Sequence, residues 1–506
     1  MKTTKQNEIY DILIIGGGIN GAGIARDASG RGLSVLLCEQ FDLANETSSR
    51  SSKMIHGGLR YLEYYEFRLV REALAEREVM LHIAPHLVQP LQLIIPHNSL
   101  QRPAWLIRLG LFLYDHLGKR FGVKSQLPGS YGLSLNTDSI FAAPLRTELK
   151  KGFCYYDCKV DDARLVILNA QAAADNGASI HTQTQFIKAE KEKGLWVSTL
   201  VDQKTQQTFI VKSKVLVNAA GPWVDDIVNT RLGIKTKHQV ELVKGSHIVI
   251  PKFYHGKHAY LLQNDDKRVI FVIPYHENFT MIGTTDVPYH DDPANVTINE
   301  AEREYLCAVV NRYFRREIKA SDIVNEWSGV RPLQADDAND PSAVTRDYSL
   351  EIEDDTGKTP ILSIFGGKIT TYRKLAQHAM EKLKIYLPTM GEAWTANTPL
   401  PGGRINNIKK FTSQLQKEFS FLPPQMLHRY AYSYGNLSNE ILKDVTSLED
   451  LGECFGIDLY AKEIDYLVLH EWAHSIDDIL WRRTKLGLEK DKIQYATLEK
   501  YLQGKN

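Results

Sequence analysis

The chain has 506 residues, 43% of them hydrophobic and 24% charged, the make-up of a globular protein with room for two or three domains and not of a disordered or fibrous one. Lys plus Arg equals Asp plus Glu at 61 each, so no global field attracts a polyanion and nucleic acid is not an expected partner. The five scattered cysteines suit free thiols in a reducing compartment, no apolar run reaches the roughly 18 residues of a spanning helix, and the polar Met1–Glu8 carries no apolar leader of the kind export needs.

Taken in chain order, Tyr10–Ile15 is a short apolar run of the buried parallel-strand type, followed at once by Gly16-Gly17-Gly18-Ile19-Asn20-Gly21. Ala22–Gly32 reads as a helix and Ser34–Cys38 as a second strand, ending at Glu39. Gly16, Gly18 and Gly21 fall at the GxGxxG positions, where a dinucleotide needs a tight turn, room for its pyrophosphate and close helix-to-strand packing. The phosphates then meet the positive end of the helix, and Glu39 stands where an acid meets the ribose hydroxyls. Strand, glycines, helix, strand and acid in register outweigh an ordinary glycine turn.

Leu62–Ile83 predicts a helix stopped by Pro85, and Phe153 to about Pro401 alternates short β-rich runs (Ile180–Phe186, Val211–Val217, His247–Ile250, Val269–Ile273) with a few helices. A second, mixed or antiparallel sheet interleaved with the nucleotide domain is expected from that pattern. Leu400-Pro401-Gly402-Gly403 is a breaker cluster and the expected boundary of a helical C-terminal domain, with a capping box at Ser475–Asp478 and a helix stop at Gly487.

Thr47–Tyr61 packs hydroxyls and small residues just after the acidic position, chemistry suited to a loop winding along a long cofactor. Val217–Trp223 ends a strand in a small-residue turn, and Phe365–Thr371 supplies a third glycine turn late in the chain. Three contributions so far apart argue for FAD rather than NAD. These segments, with Lys244–His247, Ile282–Asp286 and Ser328–Pro332, resemble the bacterial aerobic FAD-dependent glycerol-3-phosphate dehydrogenases, in order from about Tyr10 to about Leu488. The resemblance implies an α/β plus α architecture: a Rossmann-like FAD domain of the glutathione-reductase type (1–85, 150–230 and 325–400), an interleaved mixed-sheet substrate-capping region of the D-amino-acid-oxidase kind (86–149 and 231–324), and a C-terminal helical domain (401–506). Thr47, Ser48, Ser52, Lys53, His56, Gly57, Gly58, Gly221, Gly367 and Thr370 are the further expected FAD contacts.

The implied reaction takes sn-glycerol 3-phosphate to dihydroxyacetone phosphate, removing a proton from the C2 hydroxyl and a hydride from C2 to flavin N5. It needs cations for the phosphate, a base near C2 and a dry slot over the isoalloxazine. Arg60, Arg331 and Lys368 match cationic positions of the family motifs, and Tyr61 offers a hydroxyl to the substrate. Arginine suits phosphate because its planar fork bonds two oxygens. His247 and His56 are the candidate bases, imidazole titrating near working pH. His247 resembles a substrate-facing position, with Arg331 lowering the alcohol's pKa; His56 is expected at the flavin.

His470-Glu471-Trp472-Ala473-His474 is formally an HExxH zinc motif, but it falls in the helical region away from every cofactor segment, and no metal is expected. Cys154 and Cys158 lack partner ligands. Trp105–Tyr114, flanked by Arg102, Lys119 and Arg120, has the apolar body, aromatic edges and basic flanks of a segment lying in a lipid interface; the plain alternative is a buried core helix. Peripheral attachment to the cytoplasmic face of the membrane and electron transfer to quinone are the resulting expectations. Rival readings are a glycerol-phosphate oxidase using oxygen, an amino-acid-oxidising relative, and a non-catalytic flavoprotein that binds membranes. A homodimer stays open.

Overall fold

A computed structural model describes residues 9–505 apart from 99–101, 118–124, 137–138, 235–239, 267, 335–346 and 355–356. The flanking Lys119 and Arg120 of the apolar segment lie outside the described residues.

Two sheets organise the chain. The first runs, in spatial order, Tyr348–Glu353, Ile361–Gly366, Thr208–Asn218, Ile9–Ile15, Val35–Cys38 and Ser179–His181. The strands from Ile361–Gly366 to Ser179–His181 are parallel, and a hairpin of Thr184–Glu192 and Leu195–Asp202 joins Thr208–Asn218 in antiparallel fashion. Ile12, Ile14, Val35 and Leu37 face a core shared with the helices Ile19–Gly30, Asp162–Asp175 and Tyr372–Leu383. Leu13, Ile15 and Leu36 face the opposite core with Phe186 and Trp196. Burial on both faces is why Ile12–Ile15 reads as a continuous apolar run and not as an alternation.

The second, mixed sheet runs Val287–Pro288, Val240–Pro251, Phe279–Gly283, Val269–Tyr275, Ala259–Gln263, Gln89–His97, Lys151–Lys159 and Met54–Ile55. Asn325–Gln334 pairs with Val240–Pro251 over ten residues. Met54–Ile55, Lys151–Lys159 and Asn325–Gln334 thus stand in the second sheet, although the segments containing them are assigned above to the FAD-binding part. Strand pairing over such separations leaves no local trace in sequence.

Other local expectations are corrected. The helix expected over 62–83 is a 3₁₀ turn at Leu59–Tyr64, a left-handed Tyr65 (φ 60°) and then an α-helix at Phe67–Ile83. The run Ile180–Phe186 is broken at Gln183 (φ 51°) into two strands. In the helical C-terminal region Ser475 Oγ accepts from the Asp478 amide while Asp478 accepts from the Ser475 amide, a reciprocal cap. The helix that follows stops at left-handed Lys485 (φ 61°) and not at Gly487, whose missing Cβ leaves room for the Trp481 ring. Buried ion pairs Arg164–Glu471 and Asp42–Arg483 hold this region to the first sheet's helices and loops. The HExxH helix ends at Glu471, whose carboxylate is taken by Arg164, while His470 stacks on Tyr466.

Candidate functional site

The glycine turn after the first strand is built for a close ligand. A Cβ on Gly16 (φ 107°) would stand 2.6 Å from the Ala219 carbonyl oxygen, and one on Gly21 would collide with the Gly16 carbonyl. At Gly18 such a Cβ would have Ser48 Oγ at 3.2 Å as its one neighbour within 4 Å among the described residues, adjacent residues aside, so a side chain would fill the cradle and not disturb the fold. Ser48 Oγ in turn accepts from the Ile19 amide at the helix start (3.0 Å), where the helix favours an anion.

The segments expected to share one extended ligand do converge here. Asn20 Nδ2 donates to the Gly366 carbonyl (3.2 Å), and a Cβ on Gly367 (φ 101°) would stand 3.1 Å from Asn20. Asn20 Oδ1 is buried without a hydrogen-bond partner among the described residues. Thr47 Oγ1 donates to the Val330 carbonyl (2.7 Å), and the His56 amide donates to Thr370 Oγ1 (3.2 Å). Glu39 accepts from the Gly17 and Phe41 amides (2.7 and 2.9 Å); burial pushes its carboxyl up to about 7 against the pull of those amides. Gly16, Gly18, Glu39, Thr47, Ser48 and Gly221 line a cleft of about 870 Å³. Trp223, from the expected Val217–Trp223 segment, lines it too, as do Thr184–Phe186 and Arg231, which were not among the expected cofactor contacts. A long, narrow dinucleotide fits this cradle.

Two expected contacts acquire other partners. Lys53, left-handed at φ 54°, spends its ammonium on both Asp162 oxygens (2.9 and 3.0 Å) and the Ser49 carbonyl (2.7 Å). Gly57 donates its amide to Tyr114 Oη (2.7 Å), and a Cβ there would meet Leu74 and Tyr114. Both positions shape the loop and leave little for a cofactor.

His247 lies on the long strand of the second sheet, opposite Trp327 and Gly283. It is 1% exposed, stacks on Trp327 (5.4 Å, 18°) and places Nε2 2.9 Å from Ser52 Oγ. Burial, and then the positive Arg331 and Lys53, hold its pKa well below the usual imidazole range, with Asp286 pulling weakly the other way. Arg331 is ion-paired with Asp286 and donates to Thr284 Oγ1 (3.2 Å); a Cβ on Gly245 would stand 2.5 Å from its guanidinium. Across the site Lys368 sets its ammonium 3.8 Å from the centre of the Tyr61 ring. Arg60 donates to Tyr64 Oη (3.4 Å) at the edge of the same 3₁₀ turn. Pro332, next to Arg331, carries its carbonyl 3.6 Å from where a Gly366 Cβ would be, which brings the two groups of cations to neighbouring backbone. His56 lies edge-on to Phe271, and Phe271 pairs with Gly283 beside His247. The structural roles of Trp327, Asp286 and Asp162 had no signal in sequence, because Trp327 meets His247 through strand register and the two aspartates meet Arg331 and Lys53 across segments far apart in the chain.

The apolar segment forms the helix Ala104–Leu117. Ile107, Leu111 and Tyr114 face inward, while Trp105 (67% exposed), Leu106, Leu109 and Phe112 face outward. Arg102 is paired with Glu63. Among the described residues no helix is long and apolar enough to cross a membrane.

A nucleotide cradle on a parallel sheet, with a basic, histidine-bearing second sheet beside it, defines a two-sheet flavin-dependent oxidoreductase. Residues 11–373 match the family described as FAD dependent oxidoreductase and residues 393–503 the C-terminal domain of alpha-glycerophosphate oxidase. The chain belongs to the FAD dependent oxidoreductase family and uses FAD as its cofactor. It is 52% identical to a glycerol-3-phosphate dehydrogenase of Pseudomonas aeruginosa over 99% of this chain and 96% of that one. It is 48% identical to a D-erythritol 1-phosphate dehydrogenase of Brucella abortus over 99% of each. The structure of the glycerol-3-phosphate dehydrogenase from Bacillus halodurans complexed with FAD superposes with a TM-score of 0.76 at 26% identity, covering 98% of this chain and 91% of that one. The resemblance read from the motifs therefore holds over nearly the whole chain.

Proposed function

We propose that this enzyme oxidises sn-glycerol 3-phosphate at C2 to dihydroxyacetone phosphate, from a position on the cytoplasmic face of the membrane, and passes the electrons to quinone. The observation that carries this reading is the pairing of a buried, neutral histidine with flanking cations at the edge of the FAD cradle. Bound FAD supplies the hydride acceptor. Arg331, Lys368 and Arg60 bind the phosphate dianion, and Tyr61 orients a substrate oxygen. His247 accepts the C2 hydroxyl proton, its neutral form favoured by burial. Arg331 also stabilises negative charge developing on the C2 oxygen. Gly16, Gly18, Gly21, Glu39, Thr47, Ser48, His56, Gly221, Gly367 and Thr370 hold the cofactor, with Lys53, Gly57 and Gly58 shaping its loop. The outward apolar face of Ala104–Leu117 supports docking on lipid, where quinone is dissolved.

The relative named for D-erythritol 1-phosphate favours a second reading, a longer polyol phosphate at the same site. Reduction of an artificial dye by glycerol 3-phosphate and by D-erythritol 1-phosphate, with hydrogen peroxide assayed in parallel in air, decides among these. A higher kcat/KM for glycerol 3-phosphate with little peroxide supports the proposal. A preference for the four-carbon substrate, or stoichiometric peroxide without dye, overturns the substrate or the acceptor respectively.

A further inference from the structure

We infer that Ser52 is the positioning residue of the His247 imidazole, fixing the tautomer whose Nδ1 takes the substrate proton; this rests on the reading of His247 as the base. The sequence motif suggests Ser52 as a cofactor contact, but its hydroxyl stands 2.9 Å from His247 Nε2. Nδ1, the other ring nitrogen, is buried and has no hydrogen-bond partner among the described residues. The Cδ2–Nε2 edge of the ring occupies the space that Gly283 leaves open, where a Cβ would collide with it, and Trp327 covers a face.

A neutral imidazole carries one N–H, and the partner of one nitrogen decides which form is present. With the hydrogen on Nε2, it donates to Ser52 Oγ and leaves the Nδ1 lone pair to accept from an alcohol. With the hydrogen on Nδ1, a buried N–H has no acceptor among the described residues. As the C2 hydride leaves with its electron pair for the flavin, the C2 hydroxyl proton passes to Nδ1. The product is a ketone and an imidazolium whose two N–H groups meet Ser52 and the new carbonyl.

Ser52 is itself gripped from both sides by one buried carboxylate. Asp162 accepts from Ser51 Oγ (2.7 Å) and from Lys53 Nζ (2.9 Å), and Lys53 is held in a left-handed conformation uncommon for a lysine. The Lys53 ammonium also lies 4.8 Å from the centre of the Trp327 ring that stacks on His247. The Asp162 clamp sets where the Ser52 hydroxyl is, and the hydroxyl sets which nitrogen is basic.

The test is a double-mutant cycle with Ser52→Ala and His247→Asn, read as the anaerobic rate of flavin reduction by sn-glycerol 3-phosphate, with FAD content and FAD affinity measured on each protein. Ser52→Ala is expected to slow reduction about tenfold, the worth of one net hydrogen bond, with FAD binding and substrate KM little changed. Ser52→Thr, which keeps the hydroxyl, recovers most of that loss. In the His247→Asn background Ser52→Ala adds no further loss. Loss of FAD on Ser52→Ala, or an equal slowing in both backgrounds, overturns the inference while leaving His247 as base. Wild-type reduction by His247→Asn removes the base reading, and this proposal with it.

Discussion

Lys368 holds its ammonium 3.8 Å from the centre of the Tyr61 ring, joining the late glycine turn to the 3₁₀ turn that carries Arg60. This contact places one cation beside the site, and Arg331, ion-paired with Asp286, supplies another. Charged hydrogen bonds are worth about 1.5–3 kcal/mol each, so Arg331→Ala or Lys368→Ala is expected to lower kcat/KM for glycerol 3-phosphate by about tenfold to a hundredfold. Arg331→Lys falls between, keeping charge but losing the fork. Activity on plain glycerol, which lacks phosphate, changes little in Lys368→Ala and falls less than activity on glycerol 3-phosphate in Arg331→Ala, which also loses its charge beside C2. The ratio of efficiencies on the two substrates cancels damage to the fold; an equal loss on both assigns these residues to the flavin or to C2.

The pH profile follows from His247. Burial first, then Arg331 and Lys53, disfavour the imidazolium, so the folded pKa lies well below the ordinary 6.5. The proton-accepting neutral form is therefore kept as pH falls through 6.5 and is lost only further down. A plot of kcat/KM against pH is expected to show no acid limb of His247 near 6.5. Arg331→Ala removes one of the opposing cations and moves that limb upward. A wild-type midpoint near 6.5 that disappears in His247→Asn contradicts the depressed pKa.

Gly18→Val is expected to yield a folded but colourless protein. Among the described residues beyond its chain neighbours, only Ser48 Oγ stands near the added Cβ, so the chain accommodates the side chain while the pyrophosphate does not. Flavin absorbance and circular dichroism of the purified variant check both halves; a full flavin complement moves the pyrophosphate elsewhere.

The outward positions Leu109 and Phe112 are 46% and 48% exposed, so replacing both with Asp puts charge on the surface and not in a core. The doubly substituted enzyme is expected in the soluble fraction with its dye-linked activity intact. Retention in the membrane fraction rules this face out as the lipid contact, and unfolding returns the helix to a core role.

What was legible in the sequence was what local sterics dictate. The spacing of Gly16, Gly18 and Gly21 announces its own backbone constraints, and the serine-to-aspartate cap at Ser475 closes within one turn. The helical break at Tyr65 was not legible, because a left-handed tyrosine carries no glycine signal. Nor was the sheet membership of Lys151–Lys159 and Asn325–Gln334, since the pairing of His247 with Trp327 is a matter of register between strands far apart in the chain. Lys53 is a second case: it was an expected FAD contact, and a carboxylate more than a hundred positions later claims its ammonium. The motifs name candidate residues; what holds them, such as Asp162 for Lys53 and Trp327 for His247, comes from segments far away in the chain.

Anaerobic mixing of the purified enzyme with sn-glycerol 3-phosphate shows whether this site reduces FAD with a three-carbon polyol phosphate. Rapid bleaching of the oxidised flavin band is expected, with one equivalent of dihydroxyacetone phosphate formed per flavin, and little bleaching with glycerol or with amino acids at the same concentration. An oxidised flavin that survives glycerol 3-phosphate, or that bleaches as fast with an amino acid, contradicts the proposed activity.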